Sequence, residues 1–149
     1  MTSVLIRPAG SMGPSKLADI LAAANAELEW LPDLYTSAEE IKLIGDMIER
    51  GWVRVAYLDG EVAGWIARKG TEIHALCLWP QMQGKGVGRA LMRDAQRNAK
   101  KLGLHSYQAN TRATAFYQAA GFVQVHLSDG TDNEAGLPAF RFEWTKETE

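Results

Sequence analysis

A glycine-rich segment, Gln83-Gly84-Lys85-Gly86-Val87-Gly88-Arg89, stands between a β-prone run and a basic helical stretch. Few backbones accommodate that succession. A helix N-terminus leaves backbone N–H groups without partners, and the helix dipole adds partial positive charge there. Glycines let such a backbone approach a ligand closely, so a strand, a glycine loop and a helix in sequence make a ready phosphate or pyrophosphate site. Lys85 and Arg89 would add full charges. Taken alone, the segment reads equally well as a tight turn. It is not a P-loop, because Gly84-Lys85 is followed by Gly86 and not by Ser or Thr. A dinucleotide fingerprint fails as well: after Gly84 and Gly86 its third glycine would fall on Arg89.

Periodicity places this loop inside a mixed pattern. Val4 to Arg7 reads as a strand closed by Pro8. Ser15 is placed to cap a helix carrying Leu17, Ile20, Leu21, Ala24 and Leu28. Ser37 with Glu40 fits a capping box for a second helix, with Ile41, Ile44 and Ile48 on one face and Gly51 as its stop. Trp52 to Leu58 and Glu61 to Lys69 form a hairpin around Asp59-Gly60, and Thr71 to Leu78 adds a third strand. Gly84 to Leu102 runs from the loop into a long helix with the stripe Val87, Leu91, Ala95, Ala99 and Leu102, closed by Gly103. A strand from Leu104 to Ala109, a helix from Ala113 to Ala120 stopped by Gly121, and strands Phe122 to Leu127 and Ala139 to Trp144 complete the chain. The alternation implies an α+β sheet with a parallel segment where strand, helix and strand succeed one another. The 149 residues suit one domain, 1–149, and offer no linker to split it.

Charge and composition exclude several classes. A net charge of -2 argues against a partner held through nucleic-acid phosphates. No stretch is apolar enough to cross a membrane. The N-terminal residues Met1 to Pro8 lack a signal-peptide pattern, and the lone Cys77 allows no intrachain disulfide, so a cytoplasmic location is expected. Asp129, Asp132 and Glu134 lack calcium-loop spacing, and no metal is expected.

Two separated blocks resemble the GNAT superfamily of N-acetyltransferases. The family carries Gln/Arg-x-x-Gly-x-Gly/Ala between its fourth strand and third helix; here it reads Gln83-Gly84-Lys85-Gly86-Val87-Gly88. The preceding run, His74 to Pro80, looks like the family's fourth strand with its following proline. Downstream, Asn110-Thr111-Arg112-Ala113-Thr114-Ala115-Phe116-Tyr117 and then Gly121-Phe122 match a second family block. The match is carried mainly by residues 52–127. It implies the GNAT fold: a mixed sheet of about seven strands flanked by four helices and splayed between strands 4 and 5.

The resemblance also implies a reaction, namely transfer of acetyl from acetyl-CoA to a primary amine by direct attack in a ternary complex. By position, the pyrophosphate would lie on Gln83, Gly84, Lys85, Gly86, Val87, Gly88 and Arg89. The pantetheine arm would pair with Leu76, Cys77 and Leu78, and Asn110 would touch it. An amine attacks a thioester only when neutral, so a base or water relay is needed, and the leaving thiolate needs a proton. Tyr117 stands where many family members keep that acid. Its alternative is a packing aromatic beside Phe116. For the base, His74 and Glu72 alternate on the strand lining the site, and alternation would put both on one face. Each also has a structural reading. Trp30 and Tyr35 lie between the first two helices, where the family forms a wall of the acceptor site, although core packing explains them equally. Glu134 could draw a cationic amine inward. Cys77 reads as a small buried hydrophobe. The expected acceptor is a small-molecule amine; a peptide or protein amine, or a non-catalytic CoA-binding module, are the rivals. A homodimer stays open, since exposed sheet edges in this fold often pair.

Overall fold

The structure is a computed structural model and describes residues 3–147. Along the chain run β1 (Val4–Pro8), α1 (Ser15–Ala26), α2 (Ser37–Glu49), β2 (Val53–Leu58), β3 (Glu61–Lys69) and β4 (Glu72–Leu78). After a single 3₁₀ turn (Pro80–Met82) come α3 (Val87–Arg97), β5 (Lys101–Tyr107), α4 (Thr111–Ala119), β6 (Val123–Ser128) and β7 (Ala139–Thr145). The strands form one seven-stranded sheet in the order β1-β2-β3-β4-β5-β7-β6. Every neighbouring pair is antiparallel except β4 and β5, which run parallel and meet at the one register pair Glu72↔Gly103. This is the expected α+β architecture, four helices on a mixed sheet that splays between β4 and β5. No helix among the described residues is long and apolar enough to cross a membrane.

Local chemistry explains the turns. Asp59 and Gly60 both take positive φ, 52° and 86°, the conformation that a two-residue hairpin matched to strand twist requires. The apolar positions then bury on two faces. On one, α3 lays Val87, Leu91, Met92 and Ala95 against Ile66 and Ile73 from the first strands and Leu102, Leu104 and Phe142 beyond the splay. On the other, Leu17 and Ile20 of α1 and Ile44 of α2 cover Val53, Val55, Trp65 and Cys77. Trp65 is wholly buried, and its indole N–H donates to the Leu17 carbonyl at 3.1 Å, tying α1 to β3.

Several boundaries differ from the sequence expectations. The capping box sits one residue earlier: Thr36 accepts from Glu39 N–H at 3.1 Å, and the Glu39 carboxylate accepts from Thr36 N–H at 2.9 Å. Ser15 opens α1 as its first helical residue, with Pro14 at the cap position. The long helix stops at Arg97, so Ala99 and Leu102 are not on its stripe. Leu102 reaches the core from β5, and Gly103 is a strand residue, not a helix stop. Leu102 fits both a 3.6-residue period with Ala95 and a two-residue period with Leu104. Pairing with β7 along all of Lys101–Tyr107 decides for the strand.

Gly64 governs how closely β3 lies on β4. A Cβ there would stand 2.6 Å from the Cys77 carbonyl oxygen, which is backbone and cannot swing away. Gly64→Ala is therefore expected to lower stability by about 1–3 kcal/mol in a urea titration. A loss within experimental error would show that β3 and β4 tolerate the extra spacing.

Candidate active site

Beyond the Glu72↔Gly103 pair the two strands part, and a cleft of about 710 Å³ opens between them. Leu76, Cys77 and Leu78 of β4 line one side, and Asn110, Phe116 and Tyr117 of the α4 region line the other. The free edge of β4 has a definite polarity. Trp79 N–H donates to the Ala63 carbonyl at 3.1 Å, toward β3. Alternation along the strand turns the main-chain groups of Cys77 the same way, consistent with its carbonyl lying against Gly64. The N–H and C=O groups of Leu76 and Leu78 consequently face the gap. Cys77 offers the cleft its side chain only.

The glycine loop closes one end of this cleft. Gly84 and Gly86 adopt φ of 77° and 84°, which other residues take only with strain. Gly86 is the N-cap of α3 and has no side chain to occupy the first amides. The first bond it accepts comes from Ala90 N–H at 3.0 Å, so the N–H groups of Val87, Gly88 and Arg89 lie ahead of the helical ladder. These residues line the cleft together with Gln83, Gly84 and Gly86. Gly88 serves packing: a Cβ would meet Phe116 at 3.3 Å and Leu78 at 3.4 Å. Lys85 is exposed and is not among the lining residues. A second cation takes its place there. Arg112, to which the sequence reading gave no role, lines the cleft and donates from its guanidinium to the Gln83 side-chain oxygen. The resulting mouth combines free amides, a helix dipole and the charges of Arg89 and Arg112, a set suited to a pyrophosphate.

Tyr117 and Cys77 sit deeper. Burial, followed by the influence of Cys77, pushes the Tyr117 phenol from 10.0 up to about 12. Burial, then the charge of Glu40, raises the Cys77 thiol from 9.0 to about 12. At neutral pH both hold their protons, so Cys77 is not a thiolate nucleophile. Asn110 caps α4 by accepting from Ala113 N–H at 3.1 Å, which leaves its NH₂ free.

Two further contacts involve residues outside the cleft lining. Trp30, from the α1–α2 connection, meets Tyr107 of β5 edge-on, with ring centroids 5.7 Å apart. Tyr35 donates its hydroxyl to the Glu134 carboxylate, 2.7 Å from each oxygen, joining the α1–α2 connection to the β6–β7 loop. That hydrogen bond is the first cause of the raised Tyr35 pKa, while burial comes first for the raised Tyr107 pKa. Trp30 with Tyr107 and Tyr35 with Glu134 are thus two contacts, and none of these four residues lines the cleft.

The two expected bases lie elsewhere, and neither lines the cleft. His74 is exposed and stacks on Trp52 at 5.6 Å. Glu72 accepts from Arg141 Nη1 at 2.8 and 2.7 Å. Their simple alternation also fails. β3 residues Ala67 and Arg68 pair with Ala75 and Ile73, so His74 is an extra residue in a bulge. Ile73 accordingly packs with the α3 face and Ala75 with the α1–α2 face.

A mixed sheet parted between two parallel strands, with a glycine loop at a helix mouth beside the gap, is the scaffold that the resemblance implies for N-acetyltransferases. The chain belongs to the acetyltransferase (GNAT) family, whose sequence profile matches residues 17–122. It is 30% identical over 112 residues to the peptidyl-lysine N-acetyltransferase YjaB of Salmonella typhimurium strain LT2, covering 74% of this chain and 76% of that protein. It is 34% identical over 88 residues to the peptidyl-lysine N-acetyltransferase YiaC of Escherichia coli K12, covering 58% of each. The aligned stretch thus spans little more than half of YiaC. Solved structures agree on the fold. Apo YjaB from Escherichia coli superposes with a TM-score of 0.77 at 24% identity over 95% of this chain and 97% of that one. Arabidopsis thaliana NAA60, solved with a bisubstrate analogue, gives 0.72 at 17% identity over 96% and 98%.

The raised pKa values carry a stability consequence. The unfolded chain releases the Cys77 and Tyr117 protons near 9.0 and 10.0, before the folded chain does near 12. The contribution is complete below pH 9 and is lost as the pH rises toward 12. Urea midpoints of the native chain are expected to fall across that window, and less steeply in a C77A/Y117F variant. Parallel curves would mean that neither group is as shielded as its surroundings indicate.

Proposed function

We propose that this chain moves the acetyl group of acetyl-CoA onto the ε-amine of a lysine within a polypeptide, by direct attack in a ternary complex. The observation that carries the reading is the set of free amides at the mouth of α3, opening onto a cleft edged by the unpaired main chain of Leu76 and Leu78. The amides from Gly84 to Arg89, with Arg112, would hold the pyrophosphate. Leu76 and Leu78 would pair with the amide-bearing pantetheine arm as an added strand, and the free NH₂ of Asn110 would reach it. Bound there, acetyl-CoA supplies an activated thioester.

The protein's own groups divide the remaining work. Attack on the carbonyl places negative charge on its oxygen, to which the Leu78 N–H would donate. Tyr117, protonated at neutral pH, gives its proton to the departing thiolate. The amine's proton leaves through water, because neither expected base lines the cleft: His74 stacks on Trp52, and Arg141 occupies both oxygens of Glu72. Protonated Cys77 fits direct transfer without an acyl-enzyme. A module that only binds coenzyme A would have no use for a buried acid at the cleft wall.

Charge distribution supports a cationic acceptor. Residues 17–41 include Asp19, Glu27, Glu29, Asp33, Glu39 and Glu40 and no Lys or Arg. Residues 113–140 include Asp129, Asp132 and Glu134, again with no Lys or Arg. The Tyr35–Glu134 contact brings these two stretches together at the acceptor side. Such a rim raises the local concentration of cations and steers them inward. The names of YjaB and YiaC favour a peptidyl lysine. The small-molecule amine expected from the sequence is the second reading, favoured by the same Tyr35–Glu134 contact, which narrows the opening between the two loops.

Tyr117→Phe is expected to cut thiol release by about 10²-fold, with coenzyme A affinity by calorimetry unchanged. Undiminished turnover would take Tyr117 out of the mechanism. Lysine peptides with basic flanks are expected to outperform the same peptides with acidic flanks, and the advantage should shrink with added salt. Exclusive turnover of free amines would decide for the second reading.

A further inference from the structure

We propose that the Glu72–Arg141 ion pair is a clasp that sets how far the cleft gapes and thereby positions the coenzyme. The proposal rests on the reading of the cleft as a coenzyme A site. The sheet consists of two parts, β1-β2-β3-β4 and β5-β7-β6, which meet at the register pair Glu72↔Gly103. The main-chain contact there is Gly103 N–H to the Thr71 carbonyl at 2.8 Å. Arg141 comes from β7, the middle strand of the second part, and its Nη1 reaches both carboxylate oxygens of Glu72 on the first. Both side chains are partly shielded, 22% and 31% exposed, so the pair is charge-assisted in a setting that screens it less than open water. Glu143 Oε2, 3.4 Å from Arg141 Nε, and His105 Nδ1, 3.6 Å from Glu72 Oε2, complete the cluster.

Gly103 is explained by the same contact. Its φ is not in the left-handed region, and it ends no helix. A Cβ on it would fall on the Arg141 guanidinium, so the absent side chain is the space in which the clasp lies. Three strands each give up a residue to one contact at the apex of the gap. Leu78 lies six residues further along β4 and Tyr107 four further along β5. At about 3.3 Å per residue these are about 20 and 13 Å from the pivot. A small rotation at the apex therefore becomes a larger change in the width of the gap that the pantetheine arm would fill. A carboxylate held at both oxygens by a guanidinium suits holding better than proton abstraction, so Glu72 acts as a positioning residue.

Calorimetry of coenzyme A with the native chain, E72Q, R141M and the double variant tests this. Each single variant is expected to raise Kd about tenfold, and the double variant no more than either alone, as for two partners in one interaction. Turnover at saturating acetyl-CoA and the acid limb of its pH profile should stay as in the native chain, and R141K should recover part of the affinity. Unchanged Kd in both single variants would overturn the proposal even if their melting temperatures fell, because the pair would then be structural only. A turnover loss of about 10²-fold in E72Q, with the acid limb gone and R141M normal, would also overturn it and make Glu72 the base. Should R141M fail to fold, the near-isosteric E72Q decides alone. If the native chain bound no coenzyme A, the cleft reading itself would fall, an outcome distinct from equal affinities across the series.

Discussion

β4 and β5 touch at Glu72 and Gly103 and then separate, and most of the chemistry in this chain follows from that separation. A strand edge inside a sheet ordinarily satisfies its main-chain groups against a neighbour, and leaving them open has a cost. Here the Leu76 and Leu78 groups are left facing a gap between two otherwise well-paired sheet parts. A polar, amide-bearing chain laid into the gap restores the missing partners. The helix that follows β4 contributes its own unpaired amides at the same place, because the 3₁₀ turn and the glycine loop return the chain across the end of the opening. Two sources of unsatisfied donors converge on one ligand-shaped space.

The glycines that build this arrangement act for different physical reasons. Gly84 and Gly86 supply backbone conformations that a side chain would strain. Gly64, Gly88 and Gly103 supply space, for the Cys77 carbonyl, for Phe116 with Leu78, and for the Arg141 guanidinium respectively. The first kind shapes the loop at the mouth of α3. The second kind brings the elements close enough for that loop, the free strand edge and the Tyr117 wall to face one another. Burial then acts on the acids at the cleft, keeping Tyr117 and Cys77 protonated at neutral pH.

Much of this was legible in the sequence, and the misses have a common form. The hairpin at Asp59-Gly60, the α3 loop and the seven-stranded splayed sheet follow from turn chemistry, periodicity and two family blocks. The end of α3 was misplaced because Leu102 satisfies a helical and a strand period together, and only pairing with β7 separates them. The capping box was displaced by one residue because Thr36 and Ser37 offer the same hydroxyl chemistry. Glu72 and His74 were expected side by side because alternation presumes an unbroken strand, and the bulge at His74 breaks it.

The sequence by itself determined the order of the elements, the glycine loop before α3 and the family, since each depends on residues near one another in the chain. Only the tertiary structure decided which side chains meet. Tyr35 and Glu134 are 99 residues apart, Glu72 and Arg141 are 69, and Gln83 and Arg112 are 29. Contacts at such separations are set by strand register and by the angle at which the sheet opens. Both are properties of the whole packed fold, to which local periodicity is blind.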